Sequence, residues 1–179
     1  MKNIKTIGLL LLMMVISTSI FSQNLSKSFS WGGVSLRYPS NYVISEKEYV
    51  DEGSMFICNL PDIDEVISVI AVFHYQDEVV TLLSNSAWVE LCSIGIEAIE
   101  SELLFLDLED LQTSEILVDE SKSYPSVGQT FTATVEGRRV IGRYNIFVKG
   151  ESAVMLILIA ENKHYLKELH AIANSIRLE

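Results

Sequence analysis

The chain has 179 residues, 49% of them hydrophobic and 21% charged, with a formal net charge of -11. That length fits one folded domain and excludes a multidomain enzyme, while the apolar content excludes a disordered acidic chain. Thirteen Lys and Arg against 24 Asp and Glu argue against nucleic acid, because tracking a phosphate backbone needs an excess of positive charge.

In chain order, residues 1–22 read as an address. Lys2 and Lys5 precede an apolar run from Ile7 to Ile16, and the small polar residues Ser17, Thr18 and Ser19 follow. This is the three-part pattern of a secretory signal peptide. The run is too short to span a membrane, which takes about 20 residues. The expected organisation is a signal peptide over 1–22, cleaved between Ser22 and Gln23, and one domain over 23–179. Cys58 is the first cysteine, so no thiol stands ready for lipidation near the cleavage point. The domain is therefore expected in the periplasm or outside the cell, with no stable membrane anchor. Losing two lysines and no acids leaves 11 basic against 24 acidic residues, a charge of -13 on 157 residues.

Gly32-Gly33 predicts a hairpin turn between Phe29–Trp31 and Val34–Tyr38. In the second arm Val34, Leu36 and Tyr38 alternate with Ser35 and Arg37, the period of a half-buried strand. Tyr42–Ser45 begins an extended piece, and strands follow at Ser54–Leu60 and Val66–Tyr75. The latter is β-branched and apolar on both faces, as a central strand is. Ser84–Leu104 then switches to helical spacing, with Trp88, Leu91, Gly95, Ala98 and Glu102 on one line, Ala87, Leu91, Ile94 and Ala98 on its neighbour, and Ser84 or Ser86 as cap. The acidic stretch from Asp107 to Glu120 carries a short strand at Ile116–Val118. From Gly128 three strands form a meander, turning at Glu136-Gly137 and Lys149-Gly150-Glu151. A helix over Lys163–Asn174, capped by Asn162, closes the series and lays Tyr165, Leu169, Ile172 and Ile176 on one strip. Sequential strands with separated helices indicate an α+β fold, not a parallel doubly wound one.

Three stretches carry a family likeness. They are the aromatic hairpin ending in Tyr38-Pro39-Ser40-Asn41-Tyr42, the run from Gly137 to Ala160, and the closing helix from Tyr165 through Ser175-Ile176. With them the chain resembles the Mog1/PsbP-like fold group, which includes the bacterial DUF1795 and DcrB-type proteins. The resemblance implies a central antiparallel sheet flanked by helices on its two sides, an α/β/α sandwich. It also implies an accessory or binding protein without a shared catalytic constellation. The chain departs from many DcrB-type members in lacking the lipidation cysteine.

No nucleophile elbow, P-loop, dinucleotide glycine motif or His-Glu-x-x-His occurs, so no cofactor is expected. His164 and Glu168 share a helix face, but no spacing supplies a third ligand, so no metal is expected. His74 reads as a tolerated edge residue, and Asp62–Glu65 as a solvated turn. Arg138, Arg139 and Arg143 gather on one hairpin, with Arg139 and Arg143 on one side, and are the candidate site for a carboxylate or phosphate. From Glu97 to Glu120 there are nine acids and no base. Glu97, Glu100, Asp107, Glu109 and Asp110 are the candidate docking surface for a basic partner. Cys58 and Cys92 are candidates for a disulfide or for two buried thiols. The functional expectation is an exported, non-catalytic accessory or binding protein whose partner is a protein or a small molecule. The alternatives are an inhibitor or immunity-type protein covering a basic enzyme, and a hydrolase built on paired carboxylates.

Overall fold

The computed structural model describes residues 25–50, 53–61, 66–76, 84–102, 108–119 and 126–178. The expected signal peptide, the Asp62–Glu65 turn and Asp107 lie outside them. Among the described residues there are eleven strands and two helices. The strands are β1 (Lys27–Trp31), β2 (Val34–Tyr38), β3 (Val43–Val50), β4 (Gly53–Asn59), β5 (Ser68–Gln76), β6 (Glu109–Thr113), β7 (Leu117–Asp119), β8 (Ser126–Val135), β9 (Arg138–Lys149), β10 (Ser152–Ala160) and β11 (Arg177–Leu178). The helices are α1 (Asn85–Glu102) and α2 (Lys163–Asn174).

An eight-stranded sheet runs in the order β3-β4-β5-β10-β9-β8-β6, with β7 also paired to β8, and a second sheet runs β1-β2-β11. Every pairing is antiparallel. The β5 strand is flanked on both sides, as its two-faced apolar pattern predicts. The first hairpin turns at Gly32 and Gly33, with φ of 55° and 80°. That is left-handed at both central residues, the twist a two-residue hairpin requires.

Period-two alternation sorts the large sheet into two apolar faces. One carries Phe56, Cys58, Ile70, Val72, Val154, Leu156 and Leu158, and packs Leu169 and Ile172 of α2 with Val34 and Leu36 of β2. The other carries Val127, Phe131, Val140, Tyr144, Ile157 and Ile159 beneath Trp88, Val89 and Cys92 of α1. The result is the expected α+β arrangement with a helix on each side of the sheet.

Ser84 caps α1 through a hydrogen bond from Ala87 N–H to its Oγ (3.3 Å). Asn162 caps α2, its Oδ1 accepting from His164 N–H (2.9 Å) and Tyr165 N–H (3.3 Å). The buried strip on α2 is the expected one. On α1 the expected lines are corrected except at Trp88. Leu91 and Ile94 are 47% and 55% exposed, while Trp88, Val89 and Cys92 face the sheet. Apolar residues ring this helix on several sides, so periodicity alone does not choose the face that packs.

Three elements differ from the sequence expectation. The β6 strand, Glu-Asp-Leu-Gln-Thr, lies in the acidic stretch ahead of the expected Ile116–Val118 strand and pairs with β8 across a bulge between Glu109 and Gln112. Asp110 there takes a φ of 52°. The β3 strand continues past Ser45 to Val50 along the opposite edge. Its exposed Glu46, Lys47 and Glu48 guard that edge against further pairing. Finally, Arg177 and Leu178 return to β2 opposite Ser35 and Val34.

Candidate functional site

The α2 helix packs chiefly on β10 and β5 and touches β9 little. The long β8 and β9 strands therefore extend beyond the cover of the helix. A cleft of about 360 Å³ opens there, between the sheet, the C-terminal half of α2 and β11. By alternation Arg143, Asn145, Phe147 and Lys149 of β9 all point into it. His170 and Asn174 face them from α2, and Arg177 and Leu178 from β11. Leu156 and Leu158 of β10 lie beneath, with Leu158 opposite Arg143 and Leu156 opposite Asn145.

Charge in the cleft is opposite to that of the chain. Arg143, Lys149 and Arg177 stand against one carboxylate, Asp119, among its described lining residues, which leaves +2 in a chain of -11. A concave site of one sign concentrates ligands of the other. The His170 imidazole is held below its usual pKa, first by burial and then by the Arg143 charge. Arg177 spends part of its guanidinium on the end of α2, donating from Nη1 to the carbonyls of Asn174 (3.2 Å) and Ile176 (2.7 Å).

The three candidate arginines separate. Arg143 enters the cleft. Arg139 shares its side of β9, as expected, but lies four residues away, about 13 Å along the strand, in a second recess with Asp110, Gln112, Thr132 and Thr134. Arg138 follows the Glu136-Gly137 turn and alternates to the other side of the strand. They do not form one forked site. The spacing that placed them on one hairpin carried no information about which part of the sheet the helix covers.

Among the acidic candidates, Glu109 and Asp110 are exposed on β6, Glu97 and Glu100 lie on α1, and Asp107 is outside the described residues. Asp110 and Arg139 line the same recess. Neither the cleft nor that recess holds two carboxylates among its described lining residues, whereas acid–base hydrolysis needs a pair in contrasting environments.

Of the two readings of the cysteines, the structure has the buried thiols. Cys58 and Cys92 are both free and belong to the two apolar clusters on opposite faces of the sheet. Burial pushes the Cys58 thiol up to about 12, Lys27 opposing only in part, and the Cys92 thiol up to about 11.

Two polar clamps escaped sequence reasoning. Tyr42 is wholly buried; its hydroxyl lies 2.6 Å from Ser68 Oγ and donates to Glu168 Oε2 at 3.0 Å. Glu168 also meets His164 at 3.6 Å. The expected shared face is real, but its carboxylate fastens α2 to the sheet. Among the described residues no group of three metal-ligating side chains occurs. His74 is not a tolerated edge residue. It is buried, and its Nδ1–H donates to the Gly32 carbonyl at 2.6 Å. Ser54 Oγ–H donates to the same oxygen at 3.1 Å. A Cβ on Gly33 would come within 2.9 Å of the His74 ring, so this hairpin closes onto the sheet only with glycine at its turn. No local sequence signal identifies a clamp whose halves lie 42 or 126 residues apart.

No protein-family model matches the chain, and no curated protein matches it in sequence. Solved structures do. The chain is similar to a crystal structure from Bacteroides thetaiotaomicron VPI-5482 at 15% identity and a TM-score of 0.53, covering 87% of this chain and 49% of the other. It thus spans about half the length of that protein. It is also similar to the solution structure of the cyanobacterial PsbP protein CyanoP from Synechocystis sp. PCC 6803, at 11% identity and a TM-score of 0.53, covering 86% of this chain and 92% of that one. At such identities the likeness establishes the fold, which is Mog1/PsbP-like. Among the described residues no helix is long and apolar enough to cross a membrane.

Proposed function

We propose that the protein is an exported, non-catalytic binding module that holds a small-molecule ligand in the cleft between α2 and the β8–β10 part of the sheet. The cleft itself carries this reading. Its volume of about 360 Å³ falls within the range of ligand sites, and polar side chains from β9, α2 and β11 converge on it around the Phe147 ring. The signal-like pattern over residues 1–22 supports export. The PsbP-like fold of CyanoP supports an accessory role by analogy of fold.

The test is a nuclear magnetic resonance titration of the protein with the small-molecule extract of the exported fraction. Shifts should concentrate on Arg143, Asn145, Phe147 and His170. They should vanish in Asn174→Trp, which fills the cleft from an exposed position on α2. Shifts elsewhere, or shifts that persist in this variant, refute the reading. A second reading uses the exposed Glu109 and Asp110 of the β6 edge as a dock for a basic protein. Such a complex weakens steeply with salt, and Asn174→Trp leaves it intact.

A further inference from the structure

We infer that the cleft receives an oxyanion, a carboxylate or a phosphate monoester, carried on a small apolar body, with Arg143, His170 and Asn145 around the anion and Phe147 and Ala173 along the body. This rests on the cleft being the ligand site.

The charges are unevenly placed along the cleft. Asp119 pairs in register with Ser126, which stands opposite Phe147. That puts the acid four residues of β9 from Arg143, about 13 Å along the strand. Lys149, two residues past Phe147 on β9, stands toward the Asp119 end, while Arg143, with His170 near it, stands toward the other. Among the described residues no carboxylate lies within 4 Å of the Arg143 guanidinium. The half-buried Arg143 guanidinium reaches over Gly128 of β8, with the imidazole near it, and a charge so placed favours a counter-charge brought by a ligand. The fold keeps it there, facing open space. A forked guanidinium matches the two oxygens of a carboxylate or phosphate. The imidazole and the Asn145 amide, two residues along the same face, add donors from two directions.

The rest of the lining sets the ligand's body. Beyond Asn145 come the Phe147 ring and Ala173, with Leu178 further on. These offer apolar contact, in a stretch of the cleft whose rim also carries Asp119 and Lys149. A bare inorganic anion would leave that part of the cleft unfilled, and a wholly apolar molecule would strip water from Arg143 without replacing it. An anion with an aromatic or aliphatic body satisfies both halves.

The experiment titrates the isotope-labelled protein with phenyl phosphate, benzoate, benzyl alcohol and benzylamine, with inorganic phosphate as the body-less control. Phenyl phosphate or benzoate should shift the Arg143, Asn145 and His170 side-chain signals and raise the His170 pKa. The tighter of the two identifies the headgroup. Arg143→Met should weaken that probe at least tenfold, with Arg143→Lys recovering part of the loss. Phe147→Leu should weaken phenyl phosphate but not inorganic phosphate. Should Arg143→Met fail to fold, His170→Asn tests the same end of the cleft and should also weaken the anions. If benzyl alcohol or benzylamine shifts the same residues with equal affinity, the anion is refuted and the cleft remains a ligand site. If no probe shifts any residue of the cleft, both readings fall.

Discussion

Replacing Tyr42 with Phe removes one oxygen from the interior and leaves the ring in place. In the wild type that oxygen joins Ser68 at 2.6 Å and Glu168 at 3.0 Å. Ser68 is nearly wholly buried and loses a partner it cannot replace with water. Glu168 keeps 15% exposure and can recruit water, so its loss sits at the low end for a bond to a charged group. About 1 kcal/mol for the neutral bond and about 1.5 kcal/mol for the charged one give about 2.5 kcal/mol. With a urea slope of about 2 kcal/mol per molar, the midpoint should fall by about 1.2 M. Tryptophan fluorescence from Trp31 and Trp88 reads the transition. A double-mutant cycle with Glu168→Gln should return a coupling of about 1 kcal/mol. A midpoint shift under about 0.3 M, or additive effects in the cycle, refutes the clamp and leaves apolar packing alone to seat α2.

Gly142→Ala should destabilise the fold by about 3 kcal/mol in the same assay, because a Cβ there would collide with the Phe131 ring and lie 2.6 Å from the Leu158 carbonyl oxygen; an unchanged midpoint shows that β9 can shift to make room. Cys58 and Cys92 should resist a thiol reagent at pH 8 in the native protein and both react in denaturant, since burial pushes them up to about 12 and about 11; fast native labelling contradicts their placement. His170 should titrate below about 6.5, and as pH falls from there through its folded pKa the unfolded chain binds more protons, so stability falls across that window and levels off beneath it. Asp119, Lys149 and Arg177 also line this cleft, so the comparison is with His170→Asn, in which that part of the pH dependence should vanish; an unchanged slope assigns it to another group.

The sequence was most legible where one element explains itself. The α2 helix shows its limits, its Asn162 cap and its buried strip because each is set within a dozen adjacent residues. The Gly32-Gly33 and Glu136-Gly137 turns announce themselves because few residues adopt positive φ. Strand β6 was hidden because its five residues alternate around one half-buried leucine, and only the free edge of β8 makes them a strand. The face of α1 was misread because apolar residues surround it. Arg143 was found as a candidate, but His170, Asn145 and Phe147 were not. They meet Arg143 only where a helix, two strands of the large sheet and the returning C-terminus close around one cleft.

By itself, then, the sequence determined an α+β domain of strands and two amphipathic helices, its principal turns, and an excess of acid. Tertiary structure alone decided what the charges do. Asp110 of β6 lines one recess with Arg139, and the cleft beside α2 collects cations against a chain of -11. The reason is distance along the chain. Helix and turn signals are local, whereas a cleft depends on how far α2 covers the sheet, and that is fixed by packing between residues more than a hundred positions apart, such as Tyr42 and Glu168.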